Sequence, residues 1–290
     1  MLTKEQFQQK IASGTRFLDG ATGSNLQKAG MPKGCCTEEW VLANPDKLVQ
    51  LQRSYAEAGC QILYAPTFQA QPIALERVCL DKQTEAINAQ LVALSRASAP
   101  DCLIAGDITT LATFTDSFEP ENFDLLVDNY RRQIRGLIDG GADLLVAETL
   151  LYPQEAEAIL TAAELEEAGA VMFSFVMQAD GSLFSGADAA PILQELEKAG
   201  AAAVGFNCVA ADQMTPYLVS KLRRYVRGPL LCKPNAGVPV IGPSGLPEYS
   251  LDPQCFAKVV QECAQNGAAL LGGCCGTTPA HMRAVIDILG

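Results

Sequence analysis

A glycine followed by a small residue and then an apolar run recurs along this chain: Gly59-Cys60-Gln61-Ile62-Leu63, Gly141-Ala142-Asp143-Leu144-Leu145, Gly169-Ala170-Val171, Gly200-Ala201 and Gly267-Ala268-Ala269-Leu270-Leu271. Each occurrence closes a segment of helical periodicity. Leu48, Leu51, Tyr55 and Ala58 share one helical face before Gly59, and Phe123, Val127, Tyr130, Ile134 and Leu137 share one before Gly141. A glycine in that place takes the left-handed conformation that ends a helix and turns the chain into a strand. Helix starts are marked as regularly. Pro153, Pro191, Pro253 and Pro279 occupy first-turn positions, the last two behind the N-cap residues Asp252 and Thr278.

With the apolar runs at Phe17 to Asp19, Cys102 to Gly106 and Pro229 to Cys232, the pattern predicts eight strands, near residues 17, 61, 103, 144, 172, 203, 230 and 269. Strands that alternate with helices are joined by crossovers and lie parallel, and eight of them predict a closed (β/α)8 TIM barrel. The length of 290 residues suits one such barrel, and no low-complexity linker divides the chain, so residues 1–290 are read as a single domain. An open doubly wound sheet is the alternative. Its phosphate fingerprint is missing, because Gly20-Ala21-Thr22-Gly23-Ser24-Asn25 has the wrong spacing for G-x-G-x-x-G.

With 49% apolar and 19% charged residues the chain is neither disordered nor fibrous. Its 33 acids against 21 lysines and arginines, a net charge of −12, lack the basic footprint that phosphate contacts require, which argues against nucleic acid and anionic membranes as partners. No apolar run reaches the length of a membrane span. The opening MLTKEQFQQKIA is polar and amphipathic rather than a secretory signal, so a cytoplasmic location with reduced thiols is expected for the 11 cysteines. The one histidine, His281, falls in the first turn of the last helix and is read as a solvated surface residue.

In a barrel the segments after the strand ends gather on one face, where chemistry is sited; the longest run from Ala21 to Asn44 and from Ala236 to Asp252. Cys208 stands there in Gly205-Phe206-Asn207-Cys208, and Cys274 and Cys275 in Gly272-Gly273-Cys274-Cys275-Gly276. Two readings are open for the trio. Free cysteine is commonly a small buried hydrophobe; three thiolates also bind zinc well, with a fourth position left for substrate. Neighbours on a strand point apart, so Cys274 and Cys275 reach one ion only if the backbone turns sharply, which the flanking glycines permit. The vicinal pair Cys35-Cys36 has no evident metal role, and Cys60, Cys79, Cys102, Cys232, Cys255 and Cys263 are read as core-packing.

Asp19 and Glu148 end apolar strands, where an acid serves either as partner to a cation or as a cap. The turn Ala21-Thr22-Gly23-Ser24 offers backbone N–H groups to an anion. Trp40, Tyr64 and Phe114 line a pocket or pack the rim. Lys233 ends the seventh strand, where a lysine whose pKa is lowered by burial forms a Schiff base, as in class I aldolase-like lyases.

The run Gly272-Gly273-Cys274-Cys275-Gly276-Thr277-Thr278-Pro279, with Asn207-Cys208, Pro234-Asn235-Ala236-Gly237, Asp19-Gly20-Ala21 and Glu148-Thr149, resembles the homocysteine S-methyltransferases. Within them it is most similar to the homocysteine-binding domain of cobalamin-dependent methionine synthase, and the likeness runs in order from Phe17 to the C-terminus. The resemblance implies a zinc-bearing barrel with Cys208, Cys274 and Cys275 as metal ligands and as the centre of catalysis. It places Asp19 and Glu148 at the amino group of homocysteine, with Ala21, Thr22, Gly23 and Asn235 as further substrate contacts. The implied product is methionine, and the implied donor is a methylated corrinoid, methylcobalamin, on a separate protein or module. Two alternatives stay open: an onium donor such as S-methylmethionine or betaine, caged by Trp40, Tyr64, Phe68 and Phe114, and a zinc and thiol-binding barrel that senses or delivers homocysteine without turnover.

The chain also departs from the family pattern. It reads Ala65-Pro66-Thr67-Phe68 where relatives read T-N-T-F, and Gly106-Asp107-Ile108-Thr109-Thr110 where they read G-x-I-G-P or S-x-G-P. Asp107 thereby adds a third acid to the rim, which leaves open a different thiol or a homocysteine held differently.

Overall fold

Residues 1–290 other than 13, 15, 113–121, 214 and 244 are described by a computed structural model. Phe114 lies outside the described residues. Among the described residues ten strands follow in chain order: β1 (Arg16–Phe17), β2 (Ile62–Tyr64), β3 (Leu103–Thr109), β4 (Leu144–Leu150), β5 (Val171–Val176), β6 (Ala203–Ala210), β7 (Leu230–Asn235), β8 (Pro239–Ile241), β9 (Pro247–Tyr249) and β10 (Leu270–Leu271). Eight of them form one parallel sheet in the order β1-β10-β7-β6-β5-β4-β3-β2. A parallel bridge from Leu18 to Ile62 joins its ends, with Gln61 N–H donating to Phe17 O at 2.7 Å and Asp19 N–H to Ile62 O at 3.1 Å. The sheet is thus a (β/α)8 barrel, and every strand position expected from the sequence lies in or beside one of its strands. The remaining pair, β8 and β9, is an antiparallel hairpin inside the long segment after β7. Among the described residues no helix is long and apolar enough to cross a membrane.

The glycine signals act as expected at Gly59, Gly141, Gly200 and Gly267, all at positive φ. Gly169 does not. After the helix Pro153–Leu165 it is Glu167 that takes the left-handed turn, at φ 51°. A Cβ on Gly169 would stand 2.1 Å from Leu2 O. Glycine is needed there because the N-terminal segment crosses close by, its Leu2 O accepting Ala170 N–H at 2.8 Å.

Inside the barrel, Leu18, Ile62, Tyr64, Ala105, Leu144, Val146, Met172, Leu231 and Leu270 form one apolar cluster, which Phe7 and Ile11 of the helix Lys4–Ile11 also join. Towards the C-terminal ends of the strands the buried residues become polar: Asp107, Glu148, Asn207 and Lys233. Apolar burial at roughly 25 cal/mol per Å² holds the shell together and leaves the polar end as the part of the barrel shaped for something other than packing.

Cys60, Cys102, Cys232 and Cys263 are buried as expected, but Cys79 and Cys255 are exposed. Cys255 sits in the first turn of the helix Pro253–Gln265, whose core face is taken by Phe256, Ala257, Val260 and Cys263. His281 is likewise not a solvated residue. It is 8% exposed, with Nδ1 on Thr278 Oγ1 at 2.9 Å and Nε2 on Leu251 O at 3.0 Å, so it caps its helix and ties it to the preceding loop.

Helix Phe123–Asp139 meets helix Thr84–Ser98 at Gly136, where an added Cβ would stand 2.5 Å from Glu85 O and 2.7 Å from Asn88 Cβ. Gly136→Ala gains about 1 kcal/mol of helix propensity but has to push backbone apart, at roughly 1–3 kcal/mol or more. The variant is expected to be less stable by chemical denaturation. A midpoint equal to or above that of the parent would show that the two helices separate freely.

Candidate metal centre and substrate pocket

Two irregularities in the barrel build the site. The β4–β5 register shifts between Ala147 and Leu150, and the β6–β7 register between Asn207 and Ala210. Within these bulges Thr149 and Cys208 adopt left-handed φ values of 62° and 58°. Such a conformation costs roughly 1–3 kcal/mol in a residue other than glycine, so the surroundings must hold it. Fully buried Asn207 does so: its Oδ1 accepts Thr149 N–H at 2.9 Å and Ser174 Oγ at 3.1 Å, and its Nδ2 donates to Thr149 Oγ1 at 2.7 Å. The same Nδ2 lies 3.7 Å from the Cys208 sulfur and 3.9 Å from that of Cys274.

Beyond β10 the chain leaves the sheet in a turn. Cys274 N–H donates to Pro234 O at 2.8 Å, Ala236 N–H to Cys275 O at 3.0 Å, and Thr277 N–H back to Cys274 O at 3.2 Å, with Gly276 at φ 82°. This is the sharp turn that two adjacent cysteines need in order to face one point. Tyr249 lies so close over Gly276 that any Cβ there would stand 2.2 Å from its ring.

The sulfurs of Cys208, Cys274 and Cys275 lie within 4.8 Å of one another, with Cys208 and Cys274 2.9 Å apart. Among the described residues no other group of three or more His, Cys, Asp or Glu side chains has this closeness. Hydrogen bonds from Cys208 and Cys274 pull the Cys275 thiol down to about 3. At Cys274 the bond with Cys208 also pulls downward, but the bond to Cys275 and burial outweigh it and raise the thiol to about 12. The bonds to Cys274 and Cys275, with burial, push Cys208 well above the ordinary thiol range. Crowding thus favours ionisation at Cys275 and opposes it at Cys208 and Cys274, whose thiol protons are held. Three soft anionic donors converge here only if a thiophilic cation takes the place of those protons, and the donor set fits zinc.

The sulfurs form one wall of a cavity of about 320 Å³. Ala21, Thr22, Gly23, Tyr64, Phe68, Asp19, Asp107, Glu148 and Lys233 also line it. Lys233 Nζ lies 3.0 Å from Asp19 Oδ1, 3.7 Å from Glu148 Oε2 and 3.5 Å above the Tyr64 ring. Burial acts to lower its pKa, but the Asp19 and Glu148 carboxylates outweigh burial and hold it well above the ordinary lysine value. A lysine held as ammonium is no nucleophile, which removes the physical basis of the Schiff-base reading. Asp19 spends its oxygens on Lys233 and on Tyr64 N–H, at 3.0 and 2.8 Å. Glu148 Oε2 and Asp107 Oδ1 are buried without a hydrogen-bond partner. Burial raises Glu148 to about 7 against the opposing pull of Lys233.

Other expected contacts lie elsewhere. Asn235 is outside the cavity lining; its Nδ2 donates to Cys208 O at 3.0 Å and its Oδ1 is buried with no hydrogen bond, an unused acceptor. Trp40 packs instead with the cluster of Leu26, Met31, Val41 and Leu48, so only Tyr64 and Phe68 of the expected aromatic cage line the pocket among described residues. Cys35 is exposed, and Cys36 faces Glu38 Oε2 at 3.4 Å. Sequence reading missed Glu38, which lines the pocket and is 2% exposed, its Oε1 accepting Gln69 N–H at 2.8 Å. A glutamate in an amphipathic helix start carries no signal of burial.

The sequence model of the family described as homocysteine S-methyltransferase matches residues 16–289 of this chain. Methionine synthase of Mycobacterium tuberculosis is 29% identical over 289 residues, covering 92% of this chain and 24% of that protein. Methionine synthase of Mycobacterium leprae is 28% identical over 289 residues, with the same shares. The chain thus spans about a quarter of the length of these curated relatives. The crystal structure of the metallated form of the homocysteine methyltransferase MmuM from Escherichia coli has a TM-score of 0.79 at 26% identity, covering 95% of this chain and 96% of that one. Its oxidized form has a TM-score of 0.80 at 25% identity, covering 94% and 96%.

Proposed function

This chain belongs to the homocysteine S-methyltransferase family, and on that premise we propose that it is a zinc-dependent enzyme that methylates the thiol of homocysteine to form methionine. The observation that carries the proposal is the convergence of the Cys208, Cys274 and Cys275 sulfurs on the wall of a cavity lined by acids. Those three cysteines would hold the metal. When bound, zinc lowers the pKa of a thiol that joins it, so a thiolate is available near neutral pH without a general base. Held by Cys208, Cys274 and Cys275 as thiolates, such a centre would carry one net negative charge and would keep a substrate sulfur electron-rich. His281, buried and committed to Thr278 and Leu251, takes no part.

The remaining residues orient the substrate. Glu148 presents an unbonded carboxylate oxygen to the α-ammonium. The turn at Thr22 and Gly23 opens the helix Gly23–Lys28 towards the same cavity, offering backbone N–H groups to the α-carboxylate, whereas Ala21 N–H is already given to Thr277 Oγ1 at 3.0 Å. With both ends of the amino acid held, its sulfur lies towards the cysteines. It attacks the donor's methyl carbon, the bond to the leaving group breaks with its electron pair, and the product thioether forms. Resemblance to the methionine synthase type favours a methylated corrinoid on a separate protein or module as donor, because a corrinoid exceeds a cavity of about 320 Å³.

Phe68 at the cavity wall supports the second donor class, an onium compound held by cation–π attraction, whereas one face of Tyr64 is already covered by Lys233 Nζ at 3.5 Å. Zinc-loaded protein supplied with homocysteine and, in parallel, methylcobalamin, S-methylmethionine or betaine is expected to yield methionine by mass spectrometry from methylcobalamin. Methionine from an onium donor alone would reverse the choice of donor. Homocysteine binding with no methionine from any of the three would favour a sensing or delivery role.

A further inference from the structure

Asp107 is the acid that the substrate contacts above leave unused. It lies on β3 in register with Val146, while Glu148 on the adjacent β4 is in register with Thr109, so the two acids sit two residue pairs apart in register on neighbouring strands, both lining the cavity. Alternation along β3 sends Gly106 outward, where Leu137 fills the place of a Cβ at 2.9 Å, and Asp107 into the barrel. Its backbone is fixed from outside: Asp107 N–H donates to Thr67 Oγ1 at 3.0 Å, and Gln133 Nε2 donates to Asp107 O at 3.2 Å. The side chain is free of any such tie. Asp107 is 5% exposed, lines the cavity, and has its Oδ1 buried with no hydrogen-bond partner; Glu148 Oε2 likewise has no hydrogen bond, only the longer ion pair with Lys233 at 3.7 Å. A buried carboxylate oxygen without a partner is costly, and two facing one cavity are retained when a ligand supplies the donors. Asp19 cannot serve equally, because Lys233 and Tyr64 N–H already occupy it. Asp19, Asp107 and Glu148 share the single Lys233 of the cavity lining, and burial with the neighbouring Glu148 pushes the Asp107 carboxyl well above its ordinary range, so a cationic ligand is what would let these acids ionise together.

We propose that Asp107 is a specificity-determining residue, its free carboxylate oxygen pairing with that of Glu148 to clamp the substrate's α-ammonium, while Asp19 acts to position Lys233. The inference rests on the reading of this pocket as a site for an amino thiol acid. A primary ammonium has three donors in a compact head, enough to serve both oxygens at once. Selection then falls on the amino group rather than on the thiol, which every candidate substrate shares.

The test compares homocysteine with 4-sulfanylbutanoate, the same thiol acid without the amino group, by calorimetry on zinc-loaded protein. Asp107→Asn is expected to raise the Kd of homocysteine by about ten- to a hundredfold, the loss of one charged hydrogen bond. It should leave the Kd of 4-sulfanylbutanoate and the zinc content where they were. Asp107→Glu, which restores the charge, is expected to recover most of the preference, and it carries the test if the asparagine variant fails to fold. Unchanged homocysteine affinity, or equal weakening of both thiols, would overturn the assignment of Asp107 alone. If the parent protein binds neither thiol, or binds both alike, the amino-thiol reading of the pocket falls and this proposal with it.

Discussion

Cys208→Ser protein is expected to emerge from dialysis with most of its zinc lost, its metal affinity lowered on the order of a hundredfold or more. Removing even an outer-shell partner of a metal ligand costs about 10- to 100-fold, and here a ligand sulfur itself is exchanged for a weakly coordinating hydroxyl. Metal analysis of the purified protein reads the effect directly. The fold should survive, because the left-handed turn at Cys208 is held by Asn207 through Thr149 and Ser174 rather than by the sulfur. Circular dichroism checks that point. Cys35→Ser and Cys36→Ser serve as controls: the first is exposed, and the second faces Glu38, neither belonging to the sulfur cluster. Full zinc retention in the Cys208→Ser protein would sink the ligand assignment.

For Glu148→Gln, a rise of about ten- to a hundredfold in the KM for homocysteine is expected, the worth of one charged hydrogen bond to an ammonium. Zinc content should not follow. The amide keeps the shape of the side chain but surrenders the charge at the unbonded Oε2, and Lys233 remains balanced by Asp19 at 3.0 Å. That asymmetry makes Glu148 a cleaner probe than Asp19. Asp19→Asn would leave a buried lysine, 3% exposed, without its nearest counter-charge, and loss of one partner of a buried pair costs roughly 3–5 kcal/mol of stability. A homocysteine KM unmoved by Glu148→Gln would show that the ammonium is held elsewhere.

The barrel was legible because its signals are local. Helical periodicity before Gly59 and Gly141, first-turn prolines at Pro153, Pro253 and Pro279, and the apolar runs between them each act over a few residues, and short-range sterics decide them wherever the chain lies. The failures were also local in form but tertiary in cause. Gly169 reads like the other helix-ending glycines, yet the space it needs is set by Leu2, and Glu167 makes the turn instead. Exposed Cys255 and buried His281 differ only in which face of a helix meets the barrel.

At the site the division is sharper. The chain's own order of residues determined eight strands, a loop face, and three cysteines placed at the ends of strands on that face. Only the folded barrel decided that the bulges at Thr149 and Cys208 re-aim one sulfur towards the other two. Only there does Lys233 take Asp19, 214 positions away in sequence, and leave Glu148 and Asp107 with unbonded oxygens. The physical reason is that backbone conformation is governed by neighbours along the chain, whereas the charge and hydrogen bonding of a buried group are governed by neighbours in space, and closure of the barrel chooses those.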